Sequence, residues 1–186
     1  MRSRYRSIYD SVSKVHFVTS TVVGFENVFI HERLCRAFTD TLSYYITRGD
    51  FVLLAWVLMP NHFHLVLYRS HNLSISQIIG NIKRYSAKKV ITVLREIERD
   101  RLIQRLSLAA AREPASDASL WKPRFDSFVI TSPDTLRQKI EYIHNNPLRK
   151  GFVSRPELWR YSSAACYVGG EDSIPPVDVE WQCIEG

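Results

Sequence analysis

The sequence predicts an α+β domain in which helices pack on one face of an antiparallel sheet. Three observations carry this. Short β-rich runs at residues 15–23, 51–58 and 62–67 and one within 121–130 alternate with longer stretches of helical period. Two neighbouring runs are joined by the turn-forming pair Pro60-Asn61, which makes them a hairpin. The other connections carry helices, and hairpins mixed with helical crossovers give α+β rather than a strictly alternating α/β chain.

Taken in order, residues 2–14 mix Arg4 and Arg6 with Tyr5 and Tyr9. That composition suits a disordered arm, or a segment lying on nucleic acid with arginine on phosphate and tyrosine on bases. Residues 15–23 are β-branched and form the first strand; His16 within it reads as a packed or surface residue, not a ligand. Ile30, Leu34, Phe38, Leu42 and Ile46 recur every four residues, predicting a helix over 30–48 that Gly49 ends. Residues 51–58 are apolar on both faces, as a central strand would be. Ser74 followed by Gln77 is a capping box, and Ile75, Ile78, Ile79 and Ile82 form the inner stripe of the helix it opens. Residues 95–105, charged and mixed in sign, continue as an exposed helix, and residues 109–119 read as a flexible connection. Residues 121–130 turn into a further strand. Ser132-Pro133-Asp134 then begins a helix well, with a capping hydroxyl, an early proline and an acid in the first turn.

A chain of 186 residues reads as a single domain over 1–186, with a core at about 5–163 and an acidic tail at about 171–186. Cys35, Cys166 and Cys183 are far apart, which argues against a disulfide framework or a zinc knuckle and suits the reducing cytoplasm. No run reaches the ~18 apolar residues of a membrane span, and the basic N-terminus lacks the apolar core of a signal peptide. The net charge is +6; setting aside the five acids after Gly170, where no Lys or Arg occurs, raises it to +11 for the body. A body that basic favours a polyanion such as nucleic acid, although a merely basic soluble protein has the same charge.

The stretch from Pro60 to Leu67 organises the rest. Successive side chains of a strand alternate between faces, so His62, His64 and Val66 share one and Phe63, Leu65 and Leu67 the other. Two imidazoles at i and i+2 on a rigid strand can hold one metal ion; the same pair also suits hydrogen-bonded surface histidines. On the last helix, Leu136, Ile140 and Ile143 form the apolar stripe. At roughly 100° per residue, Tyr142 lies on one flank with Asn146 a turn later, beside Thr135 and Lys139. His144 falls on the opposite flank and reads as structural. Pro147 disfavours helical geometry at Asn146, so the direction of that residue is open. Alone, Tyr142 is an edge-of-core tyrosine; paired with two histidines and an amide oxygen it makes a metal-assisted nucleophilic site.

Four stretches together resemble a known family. Pro60-Asn61-His62-Phe63-His64-Leu65-Val66 resembles the His-hydrophobic-His signature of HUH endonucleases. Residues 141–151, Glu-Tyr-Ile-His-Asn-Asn-Pro-Leu-Arg-Lys-Gly, resemble the nucleophile helix of single-tyrosine transposases. Trp121-Lys122-Pro123-Arg124-Phe125 and Trp159-Arg160-Tyr161-Ser162-Ser163 look like two further marks of the REP-associated tyrosine transposase branch. The resemblance runs from about residue 5 to 163, and residues 95–120 exceed the length expected of the family.

The resemblance implies a ferredoxin-like, RRM-like core and cleavage of single-stranded DNA with Mg²⁺ or Mn²⁺. It implies Tyr142 as nucleophile and His62 and His64 as metal ligands. Asn146 stands where some relatives use glutamine as the third ligand, an amide oxygen in either case. The substrate it implies is a hairpin from a short palindromic repeat, cut through a 5′-phosphotyrosine. Arg4, Arg6, Lys83, Arg84, Arg124 and Arg149 are the candidates for DNA-backbone contacts. Monomer and homodimer both remain open. Two other readings use the same residues: a non-catalytic single-strand binder, which needs the basic surface but not the His–Tyr meeting, and a hydrolytic metalloenzyme, which leaves no protein–DNA adduct.

Overall fold

The computed structural model describes residues 15–70, 72–113, 120–170 and 173–179. Arg4, Arg6 and all tail acids except Asp178 lie outside these residues. The elements are β1 (Val15–Thr21), α1 (Glu32–Thr47), β2 (Phe51–Met59), β3 (His62–Arg69), α2 (Ile75–Glu96), α3 (Asp100–Ala110), β4 (Asp126–Val129) and α4 (Pro133–Arg149). The strands form one antiparallel sheet of order β2-β3-β1-β4. β3 lies between β1 and β2, and β1 between β3 and β4, so each outer connection is a helical crossover. This is the predicted α+β, ferredoxin-like arrangement.

The alternation read in the sequence decides which helix meets which face. Val18, Leu53, Leu58, Phe63, Leu65 and Leu67 pack with Leu34, Phe38 and Leu42 of α1 and Ile78, Ile79 and Ile82 of α2. On the other face, Val15, Leu54, Val57 and Val66 pack with Leu136, Ile140 and Ile143 of α4. Thus α1 and α2 share one face, but the expectation that all helices pack on one face does not hold: α4 crosses β2 and β3 on the face that carries the histidines, because its own apolar stripe covers Leu54, Val57 and Val66 there.

β2 is an edge strand rather than the central strand its apolar pattern suggests. It is apolar on both sides because helices cover both faces there. Its free edge is closed by the chain after α4: Leu58 N–H donates to Tyr161 O (2.8 Å) and Ser163 N–H to Trp56 O (3.0 Å). The Trp159 indole donates to Leu58 O (3.0 Å) and the Tyr167 hydroxyl to Leu54 O (2.6 Å). The stretch Trp159–Ser163 is therefore an edge cover that removes unpaired strand groups from solvent.

α1 starts two residues later than the period predicts, because His31 is its cap: Nδ1 accepts the Arg33 N–H at 3.2 Å. The Ser74/Gln77 capping box forms as predicted. Residues 95–105 are not one continuous helix. The chain turns at Glu98, in the left-handed region at φ 55°, and α3 then buries Leu106 and Ala110. The predicted connection from 109 therefore begins only after Ala110, and residues 114–119 lie outside those described. α4 is capped by Ser132, whose Oγ accepts the Thr135 N–H at 3.2 Å, and it continues through Pro147. Among the described residues, no helix is long and apolar enough to cross a membrane.

Candidate active site

His62 and His64 stand opposite Thr21 and Thr19 of β1, with their ring centroids 4.8 Å apart. Thr19 Oγ1 lies 2.7 Å from His64 Nδ1. That leaves Nε2, which is buried and without a hydrogen-bond partner. A buried nitrogen left unpaired is costly unless a ligand meets it. His62 Nδ1 lies 2.7 Å from Asn61 Oδ1. An amide oxygen only accepts, so Nδ1 carries the proton and Nε2 keeps its lone pair. The other end of the same amide donates to Phe25 O at 3.2 Å, which fixes its orientation.

Burial pulls the His64 imidazole down to about 3, with His62 adding to the effect. Burial also lowers His62, the Lys150 charge lowers it further, and a hydrogen bond with Asn146 opposes both. The two rings are therefore neutral near pH 7, the form that binds metals.

α4 supplies the other side. The Tyr142 ring lies 5.4 Å from the His64 ring and 5.9 Å from the Phe17 ring, centroid to centroid. Tyr142 is 37% exposed, whereas Asn146, one turn on, is only 6% exposed. The helix persists through Pro147, so Asn146 keeps its helical direction and reaches His62. His62, His64, Tyr142, Asn146 and Lys150 line one cleft of about 470 Å³. Among the described residues, no group of three His, Cys, Asp or Glu side chains is placed to hold a metal. The side chain beside the pair that could serve as a third donor is the Asn146 amide. Two imidazoles, one of them with an unpaired Nε2, and an amide oxygen could together hold a divalent ion with open positions.

His144 takes the opposite flank, as the helical arithmetic requires. Its Nε2 lies 2.9 Å from Ser163 Oγ, and its ring lies edge-on to Tyr167 with centroids 4.7 Å apart. Ser163 Oγ also accepts the Trp56 N–H at 3.0 Å. His144 thereby ties α4 to the covered edge of β2 and fixes the rotation that turns Tyr142 toward the histidines. Burial pushes its imidazole down to about 4.

The basic candidates separate. The Arg149 guanidinium carbon lies 5.7 Å from the centre of the Tyr142 ring. Arg124 is exposed just before β4. Arg84 donates to Asn81 Oδ1 (2.8 Å) on the exposed side of α2, on the face of the sheet away from the cleft. Lys83 needs correction as a phosphate contact. Its ammonium donates to Lys122 O (2.7 Å) and Pro123 O (2.9 Å), clamping the turn after Trp121, and burial lowers it to about 8. The Trp121 indole donates to Ser86 Oγ at 3.0 Å and its ring stacks on Phe29, so the 121–125 motif opens as core. Lys139 lies over the Phe17 and Phe128 rings, at 5.1 and 5.4 Å.

Thr19, Asn61, Phe17 and Lys150 were not singled out by the sequence. Antiparallel pairing of residues 15–21 with the histidine strand would have brought Thr19 and Thr21 opposite the two histidines, but the register is set by contacts far apart in the chain.

Comparison with known proteins bears on the family and the fold. A protein from Haemophilus influenzae described as a candidate REP-associated tyrosine transposase is 24% identical over 128 residues, 68% of this chain; the match spans 64% of that relative's own length. A solved structure of a REP-associated tyrosine transposase bound to a REP hairpin superposes with a TM-score of 0.57 at 20% identity, covering 90% of this chain and 87% of that one, and so shares the fold. The family model for IS200-like transposases matches residues 10–146, a span that takes in the histidine strand and the helix bearing Tyr142 and Asn146; this chain belongs to the IS200-like transposase family.

Proposed function

We propose that this protein cuts and rejoins single-stranded DNA through a covalent 5′-phosphotyrosine, with Tyr142 as nucleophile and a divalent ion, Mg²⁺ or Mn²⁺, held by His62, His64 and Asn146. The observation that carries the reading is the convergence of these four side chains, from two distant segments, on one cleft.

Each residue has a distinct task. Asn61 accepts from His62 Nδ1–H, and a Thr19 hydroxyl accepting from His64 Nδ1–H would likewise make Nε2 the ligating atom of each ring. Asn146 offers its amide oxygen from α4, which ties the nucleophile's helix to the metal pair. When bound, the ion supplies positive charge to the non-bridging oxygens of the scissile phosphate. Tyr142 Oη attacks phosphorus in line and loses its proton; the P–O3′ bond breaks, and the leaving 3′-oxygen takes up a proton. The 5′-phosphotyrosine retains a phosphodiester linkage, so a 3′-hydroxyl can later attack it and restore DNA. Arg149 and Lys150 offer charge to the strand at the rim.

The substrate proposed is a hairpin from a short palindromic repeat with single-stranded flanks, by extension from the relative captured on a REP hairpin. The proposed setting is the cytoplasm. One chain supplies both histidines and the tyrosine, so monomer and homodimer are both workable. Labelled hairpin oligonucleotides with Mn²⁺ provide the test. Cleavage should stop on chelation and in Tyr142→Phe, while that variant still binds the DNA; full cleavage by Tyr142→Phe would exclude the tyrosine mechanism.

A further inference from the structure

At the cleft mouth stands an aromatic ring that packing does not explain. Phe25 lines the same cleft as His62, His64 and Tyr142. It is 62% exposed, and its backbone lies in the left-handed region at φ 56°. A bulky residue avoids that region unless its surroundings impose it, and an exposed phenylalanine gains little from burial in return. The Lys122 ammonium lies 3.7 Å from the ring centroid, which covers one side with a cation and leaves ring surface open to solvent.

The turn carrying Phe25 is braced from three directions. Asn61 holds it through the side-chain bond to Phe25 O (3.2 Å) and a backbone bond from Val22 N–H to Asn61 O (2.8 Å). The chain before the 121–125 turn holds it through Val23 N–H to Leu120 O (3.0 Å) and Lys122 N–H to Thr21 O (2.8 Å). α3 backs it: Arg105 pairs with Glu26 at 2.9 Å, and a Cβ on Gly24 would come within 2.9 Å of the Ala109 Cβ. α3 lies in the 95–120 stretch. Asn61 also accepts from His62, so one side chain links this turn to the candidate metal pair.

We propose that Phe25, with Lys122 beside it, is a stacking platform for one unpaired base next to the scissile phosphate, and that α3 and Asn61 hold it at the mouth of the cleft. Stacking on an aromatic face is tolerant of base identity, and a neighbouring ammonium serves the adjoining phosphate. The inference rests on the single-stranded-DNA reading of the cleft and adds a subsite to it.

The test is an abasic scan by fluorescence anisotropy in a Tyr142→Phe background, so that binding is read without cleavage. Hairpin oligonucleotides carry one abasic nucleotide at successive flanking positions. With Phe25 intact, one position should lose affinity on the order of tenfold. Phe25→Leu should bind unmodified DNA on the order of tenfold more weakly and show no further loss at that position. Phe25→Trp should restore both the affinity and the positional loss. An unaltered urea midpoint in Phe25→Leu would show that the fold is intact. Unchanged affinity in Phe25→Leu, or an abasic profile identical to that with Phe25 intact, would overturn the platform, while an adduct formed by the wild-type chain would leave the tyrosine mechanism standing. Failure of the protein with Phe25 intact to bind any single-stranded DNA would overturn both.

Discussion

His144 is a buried base whose removal has a calculable, pH-dependent effect. Replacing it with leucine keeps a side chain of similar volume against Tyr167 and strands no backbone group, because Ser163 Oγ still accepts from Trp56. In the folded protein, burial pushes its imidazole from 6.5 down to about 4. The unfolded chain therefore binds a proton more readily than the folded one between these values. Stability from the neutral ring is complete above pH 6.5 and is lost as pH falls toward and through 4. At about 1.4 kcal/mol per pH unit, the loss at pH 4 is about 3 kcal/mol. At pH 7.5, His144→Leu should be less stable by about 1 kcal/mol, the net value of the bond to Ser163. The order should reverse in acid, with the variant more stable by about 2 kcal/mol near pH 4. Urea unfolding at a series of pH values reads this directly. With a slope of about 1–3 kcal/mol per molar urea, the total swing corresponds to about 1–3 M in midpoint. His62 and His64 titrate in both proteins and cancel in the difference. A gap that stays constant within about 0.5 kcal/mol from pH 7.5 to 4 would refute the assignment of His144 as a buried neutral base.

Two further outcomes follow from the cleft. Thr19→Val removes the group that engages His64 Nδ1, and Mn²⁺ affinity should fall about 10–100-fold by calorimetry, the range usual for such outer partners; undiminished affinity would deny Thr19 that role. If about five phosphates are neutralised by cations such as Lys122, Lys139, Arg149 and Lys150, log K for a single strand should fall against log salt with a slope near −3.5. A salt-insensitive affinity would count against a strand lying along this face.

How much of this was readable beforehand depended on how local the determinant was. Helix phase is local: the flanks of Tyr142 and His144 followed from Leu136, Ile140 and Ile143 alone, whereas the direction of Asn146, left open by Pro147, is decided by the helix continuing through that proline. The caps at Ser74 and Ser132 and the alternation of the histidine strand were legible for the same reason. Long-range pairing was not. β2 read as central because a strand covered on both faces has the same pattern at an edge, and its cover arrives from residues 159–167. Lys83 read as a surface cation because the carbonyls it meets are 39 and 40 residues away in sequence. Phe25 gave no signal, since its exposure and its left-handed backbone depend on Asn61, Lys122 and α3 acting together.

The central claim is that a phenol on one helix, opposite two imidazoles on a strand, becomes covalently bonded to DNA. Tandem mass spectrometry of the protein after reaction with a single-stranded hairpin and Mn²⁺ tests it most directly. The account predicts a nucleotide joined through its 5′-phosphate to the peptide containing Tyr142, at that residue. Cleaved DNA with no modified peptide, or modification at a different side chain, would contradict it.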